Sequence, residues 1–155
     1  MKFVIQRVKN AKVTVDGEII SAIGQGFLVL VGVTHSDTEE IAAKMVKKLI
    51  GLRIFADGEG KTNLDLNAVS GSLLLISQFT LYADCRKGNR PSFTNAGAPG
   101  QAESLYQYMI GLCRQEIPDV QEGQFGADMQ VSLENDGPFT VILDSAEICP
   151  AHGTH

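Results

Sequence analysis

The chain has no tryptophan and only three cysteines, Cys85, Cys113 and Cys149, among 155 residues. So sparse and odd a set of thiols excludes a disulfide framework and suits a reducing compartment, so a cytoplasmic protein is expected. No stretch approaches the ~20 consecutive apolar residues that a membrane span requires. The most apolar run, Phe27 to Val33, is short and rich in β-branched residues, which makes it a buried strand. No signal-peptide core follows Met1, because Gln6, Arg7 and Lys9 interrupt the opening segment. Basic residues are outnumbered, 13 against 18 acidic ones, for a net charge of -5. That balance argues against a nonspecific binder of DNA or RNA, which carries a basic footprint, yet it allows an RNA gripped at one end only. P-loop, dinucleotide and HExxH motifs are all missing. Cys149, His152 and His155 have no second cluster to complete four metal ligands, so neither metal nor cofactor is expected.

What remains is an ordinary globular balance, 44% hydrophobic and 20% charged, of a length that fits one domain. Alternation marks Phe3 to Val8 as a strand. Val13 and Val15 lead into Asp16-Gly17, a favoured hairpin turn, and Glu18-Ile19-Ile20 returns. A first helix is expected from Asp37, with Glu40 closing a capping box and Ile41, Met45, Leu49 and Leu52 facing the core. Arg53 to Phe55 should open a strand and Asp57 to Gly60 a turn. Leu73 to Tyr82 is strand-like, and Asp84 to Gly97 is a long loop of the kind that is usually functional or mobile. Pro99 suits the first turn of a second helix, with Ala102, Leu105, Met109 and Leu112 inward and Ile117-Pro118 as its end. Met129, Val131 and Leu133 alternate, the chain should turn at 135–138, and Phe139 to Leu143 should run back. The tail Ala151 to His155 has no sequence reason to be ordered. The expected fold is one α/β domain of mostly antiparallel or mixed sheets, layered or barrel-like, with two main helices packed on one side.

Two segments do not read as plain structure. Ser77-Gln78-Phe79-Thr80 ends an apolar strand in polar side chains, which must find partners or line a cleft. Thr80 is a candidate nucleophile, but no His, Asp or Glu stands obviously placed to activate it. A strand terminus whose hydroxyls bond to backbone is the structural alternative. Asp136-Gly137-Pro138 reads on its own as a hairpin turn, since proline cannot serve within a ladder. Cys85 has no visible histidine partner, and His35 reads as a loop residue. Arg86, Lys87 and Arg90 form a small basic cluster opposed by Asp84; on charge alone a solvated loop explains it.

Taken together, the blocks Met-Lys-Phe-Val-Ile-Gln-Arg-Val at 1–8, Ser77 to Tyr82, Lys87 to Phe93, Gly126 to Met129, Asn135 to Thr140 and Leu143-Asp144-Ser145 resemble the D-aminoacyl-tRNA deacylases. They occur in order over residues 1 to about 145, with 146–155 as a tail. Phe139 stands where that family usually has valine.

The resemblance implies a homodimer that hydrolyses the ester between a D-amino acid, or glycine, and the 3′-terminal adenosine of tRNA. It implies a cis bond at Gly137-Pro138, and that this segment enters the partner's active site as a chiral filter, with Arg7 supporting it. An L side chain would collide with rigid backbone there, whereas a D side chain would point away. Ser77, Gln78, Phe79 and Thr80 would cradle the ester, with the Gln78 and Phe79 amides as oxyanion donors and Phe79 against the adenine. Ala102 and Met129 would contact substrate, and Arg86, Lys87 and Arg90 would meet phosphates. Two mechanisms stay open: Thr80 as nucleophile, or water assisted by the RNA's own 2′-hydroxyl. Another small ester or amide hydrolase using Thr80 or Cys85, or a non-catalytic tRNA-binding module, are the competing readings.

Overall fold

One strand organises the sheet. In the computed structural model, which describes residues 1–150, β1 (Lys2–Val15) is long enough to carry neighbours on both edges. On one edge its first half pairs antiparallel with β3 (Gly26–Gly32) and its second half with β2 (Glu18–Ile23). On the other edge it is followed almost throughout by β8 (Gln130–Asp144). The β1–β2 hairpin turns at Asp16-Gly17, both at positive φ as that tight turn demands.

Beyond β3 the pairing becomes parallel. β6 (Ser72–Ser77) lies beside β3, and β7 (Val120–Glu122) lies beside β6. Parallel neighbours need crossovers, and helices α1 (Glu39–Gly51) and α2 (Pro99–Glu116) lie within them. β6 is apolar on both faces, as a covered parallel strand must be. Leu73 and Leu75 point to the helices, while Leu74 and Ile76 join Val8, Ala11, Val13, Ile23 and Leu28 in a second cluster inside the curved sheet. Ser21 of β2 hydrogen-bonds the Glu122 carbonyl of β7, bringing the two ends of the sheet together into a nearly closed barrel. Both helices pack against the same core cluster, on one side of the sheet. Two short strands, β4 (Phe55–Ala56) and β5 (Thr62–Leu64), form a separate ribbon. A one-turn helix, α3 (Ser145–Ile148), follows β8 and packs Ile148 against the core. No helix among the described residues is long and apolar enough to cross a membrane.

Three expectations need correction. The first helix is capped by Thr38, whose hydroxyl accepts from the Ile41 amide at 3.2 Å. Asp37 is instead buried, bonding the Met1 amine at 2.8 Å and the Thr34 amide at 2.8 Å, so its carboxylate is not free to cap. The strand predicted to Tyr82 stops at Ser77, and Phe79–Tyr82 forms a 3-10 turn. The most consequential correction lies at 135–138: the chain does not turn back. β8 is one strand, and Asp136 to Phe139 bulge out of it opposite Arg7, between the pairs Gln6↔Thr140 and Val8↔Asn135. Alternation on either side of a Gly-Pro is the same for a hairpin and for a bulge; only a partner as long as β1 separates the two.

Candidate active site

Strands β3, β6 and β7 are parallel, so their carboxyl ends lie together, where ligands of α/β sheets usually bind. A cleft of about 670 Å³ opens there. Its floor is Val31, Ile76 and Ala102, one wall is Ser77 to Phe79, and the other is Phe125 to Met129. The segment Phe93 to Pro99 supplies the remaining edge. Most of the lining is apolar, and Asp128 is its single titratable side chain.

The loop before α2 is fastened at several points. Asp84 and Ser92 exchange backbone hydrogen bonds at 2.7 and 2.9 Å. The Gly97 amide donates to the Val33 carbonyl at 2.8 Å, and Thr34 Oγ1 donates to the Asn95 carbonyl at 2.6 Å. His35 Nε2 meets the Thr94 carbonyl at 2.7 Å, which makes it a loop-holding residue. Phe93 is thereby set edge-on to Phe79, ring centroids 5.1 Å apart. Both rings remain 40% or more exposed, an apolar patch at the mouth of the cleft.

Of the residues expected to act, Ser77, Gln78, Phe79, Ala102 and Met129 line this one cleft. Thr80 does not line it. It sits exposed on the 3-10 turn, and its Oγ1 accepts from Gln78 Nε2 at 2.6 Å. An amide is no base, so this contact does not activate the hydroxyl for attack. The Gln78 amide, expected as an oxyanion donor, is committed to the Val31 carbonyl at 2.7 Å. That leaves the Phe79 amide, which opens the 3-10 turn, where an N–H has no partner within the turn. The Ala102 amide is likewise spent on the Ala98 carbonyl at 2.9 Å, so this residue gives the floor a methyl group. Met129 folds its sulfur toward the Gln124 amide, 3.3 Å away, and over Gly123, where a Cβ would come within 2.7 Å of it.

Gly137, Pro138 and Arg7 lie away from this cleft, at the opposite end of β3 from its carboxyl terminus, with Gly137 and Pro138 exposed. The Gly137-Pro138 bond is cis. Arg7 braces the bulge: Nε donates to the Asp136 carbonyl at 3.0 Å and Nη1 to the Ile54 carbonyl at 2.6 Å. Its guanidinium also lies 4.6 Å over the Phe139 ring, so the phenylalanine packs where a smaller side chain would leave a gap. Asn135 ties the bulge from within, donating to Gln6 Oε1 at 2.6 Å and accepting from the Phe139 amide at 2.9 Å. Sequence reasoning missed Asn135 and Gln6 as supports. The signal was an asparagine just before Asp-Gly-Pro, a residue type that bonds backbone a few positions on. It also missed the 93–99 edge, whose small and polar residues read only as loop.

The basic cluster divides. Arg86 grips Asp84 through Nε at 2.9 Å and Nη2 at 2.8 Å, and this contact holds the Asp84 carboxyl down at about 2. The pair therefore persists until pH falls through that value. Lys87 and Arg90 are exposed on the same loop. Cys85 is exposed, with no group of metal-ligating side chains around it among the described residues. Cys149 lies within the described residues, whereas His152 and His155, and with them the tail 151–155, lie outside.

A sequence profile described as D-Tyr-tRNA(Tyr) deacylase matches residues 4–144. The D-aminoacyl-tRNA deacylase of Clostridium novyi is 52% identical over 145 residues, covering 94% of this chain and 97% of that protein. The corresponding protein of Thermus aquaticus is 52% identical over 147 residues, covering 95% and 97%. A solved structure titled c-Myc DNA Unwinding Element Binding Protein superposes with a TM-score of 0.89 at 42% identity, over 94% of this chain and 99% of that one. With matches of this extent on top of the strand-end cleft and the braced Gly-Pro bulge, the chain belongs to the D-Tyr-tRNA(Tyr) deacylase family.

Proposed function

We propose that this chain is a hydrolase that cleaves the ester between a D-amino acid and the 3′-terminal adenosine of tRNA, and that it clears glycine from tRNA as well. The observation that carries the mechanism is the composition of the cleft: mostly apolar walls, the Phe79 N–H at its edge, and Asp128 as the single titratable side chain among its lining residues. Such a site works by positioning and by preorganised dipoles. Water attacks the ester carbonyl, the Phe79 N–H receives the developing oxyanion, and the 3′-oxygen leaves with a proton relayed through the RNA's 2′-hydroxyl. Phe79 and Phe93 offer the terminal adenine an apolar platform.

Stereochemical choice is assigned to a homodimer in which Gly137-Pro138 of one subunit enters the cleft of the other. Support comes from the bulge's exposure, its distance from its own cleft and the fixed bracing by Arg7 and Asn135. Rejection by backbone needs no pocket for the side chain, so many D-amino acids pass and glycine has nothing to reject. Lys87 and Arg90 are assigned to phosphates near the 3′ end, with Arg86 turned toward Asp84. Acting on tRNA, the enzyme works in the cytoplasm. The DNA element named for the solved relative is left with that protein, since a net charge of -5 gives duplex DNA little to bind.

The test is hydrolysis of D-tyrosyl-tRNA beside simple aryl esters. Turnover of the D-ester alone is expected; turnover of aryl esters alone would transfer the site to another small hydrolase, and binding of charged and uncharged tRNA without turnover would make the chain a binding module. Thr80→Ala should keep substantial activity, and a 2′-deoxy terminal adenosine should abolish it. The reverse pattern would make Thr80 the nucleophile.

A further inference from the structure

Four of the chain's 13 basic residues gather away from the cleft. Lys44, Lys47 and Lys48 stand on the outer face of α1, opposite its buried Ala42, Met45, Val46 and Leu49. Arg53 follows just after the helix, and Gly51, with no side chain, leaves a hollow of about 360 Å³ between them. Leu52 and Ile148 complete its lining, which contains no carboxylate. Glu40 pairs with Lys44 at 3.6 Å, but Lys47 and Lys48 have no acidic partner among the described residues. Arg53 is steadied by the Asn63 carbonyl, which accepts from its Nε at 2.9 Å. Favourable interaction with the helix dipole accounts for Lys48 in the last turn, yet not for three further cations around an open hollow in an acidic protein.

Its location supplies the partner. α1 starts at the carboxyl end of β3, beside the cleft, so its far end lies at the opposite side of the molecule. There Arg53 adjoins Ile54, whose carbonyl accepts from Arg7, and Arg7 in turn holds Asp136. The basic hollow is thus linked to the Gly137-Pro138 bulge through Arg53-Ile54 and Arg7. We infer that it grips backbone phosphates of the tRNA body when the 3′ end is engaged at that bulge. This rests on the deacylase reading above, and it gives each subunit a share in holding the RNA whose ester its bulge inspects.

The experiment compares wild type with the Lys47→Glu/Lys48→Glu double variant on two substrates, D-tyrosyl-tRNA and 3′-O-D-tyrosyl-adenosine, which has no RNA body. The expected result is a KM for the tRNA raised about tenfold or more, with kcat and the adenosine ester unaffected. The salt dependence of the tRNA KM should lose about one unit of log–log slope per phosphate contact removed. A Lys47→Arg/Lys48→Arg variant should behave as wild type. Unchanged tRNA kinetics would overturn the inference and leave the lysines to an acidic protein or to solvent. Equal losses on both substrates would overturn it too, because the lysines would then act through the fold. A wild-type enzyme inactive on both substrates would refute the deacylase reading itself, a distinct outcome.

Discussion

Arg7→Ala removes four contacts from one place: the bond to the Asp136 carbonyl, the ion pair with the Asp136 carboxylate at 3.7 Å, the bond to the Ile54 carbonyl and the stacking over Phe139. The side chain is 15% exposed, so water replaces its donors only in part. Hydrogen bonds from a charged donor contribute about 1.5–3 kcal/mol each, and a cation over an aromatic ring about 0.5–1 kcal/mol. Because these contacts share one side chain and some water enters, the expected loss is about 2–4 kcal/mol, a large part of the roughly 5–15 kcal/mol that keeps a domain folded. Urea denaturation measures that loss. Lysine keeps the charge but lacks the planar fork that reaches both carbonyls, so Arg7→Lys should recover only part of it. In the folded Arg7→Ala protein the bulge loses its outer brace while Asn135 still holds it from within. If the bulge is the filter, the ratio of D- to L-tyrosyl-tRNA hydrolysis should fall at least about tenfold, equivalent to about 1.4 kcal/mol. A variant that loses less than about 0.5 kcal/mol of stability and retains wild-type discrimination would refute both the bracing and the filter.

Gly26→Ala should be among the most damaging glycine substitutions, because a Cβ there would lie 1.9 Å from the Ser72 carbonyl oxygen of the neighbouring parallel strand. Backbone must move, and a destabilisation of at least about 2 kcal/mol is expected in urea; a neutral variant would mean that β3 and β6 are not in this register. Burial pushes the Cys113 thiol up to about 12, so at pH 8 roughly one molecule in ten thousand carries its thiolate. A thiol reagent should therefore label exposed Cys85 in the native protein and reach Cys113 only on unfolding; equal labelling rates would contradict the packing of α2.

The parts legible in the sequence were those set by local pattern. Asp16-Gly17 announced its hairpin, Pro99 its helix start, and the apolar run at Phe27 its buried strand, since each needs only neighbouring residues. The cleft was legible at Ser77 to Phe79, where polar residues interrupt a buried strand, because desolvation penalises them whatever the fold. The bulge was not. Whether Asp136 to Phe139 turn back or bow out depends on β1, more than a hundred residues away in sequence. Asp37 misled for a similar reason: its best partner is the Met1 amine, a contact between distant segments, and the neighbouring Thr38 takes the cap. The surroundings of Thr80 were equally unreadable: its hydroxyl accepts from the Gln78 side-chain amide, a contact set by the 3-10 turn.

The central claim is that one cleft hydrolyses the ester and a backbone bulge chooses the hand of the amino acid. The direct measurement is kcat/KM for D-tyrosyl- and L-tyrosyl-tRNA, carried on the same tRNA and assayed with the same enzyme preparation. A D-to-L ratio of at least about a thousand, some 4 kcal/mol of discrimination, is expected. Comparable rates on both hands would contradict it.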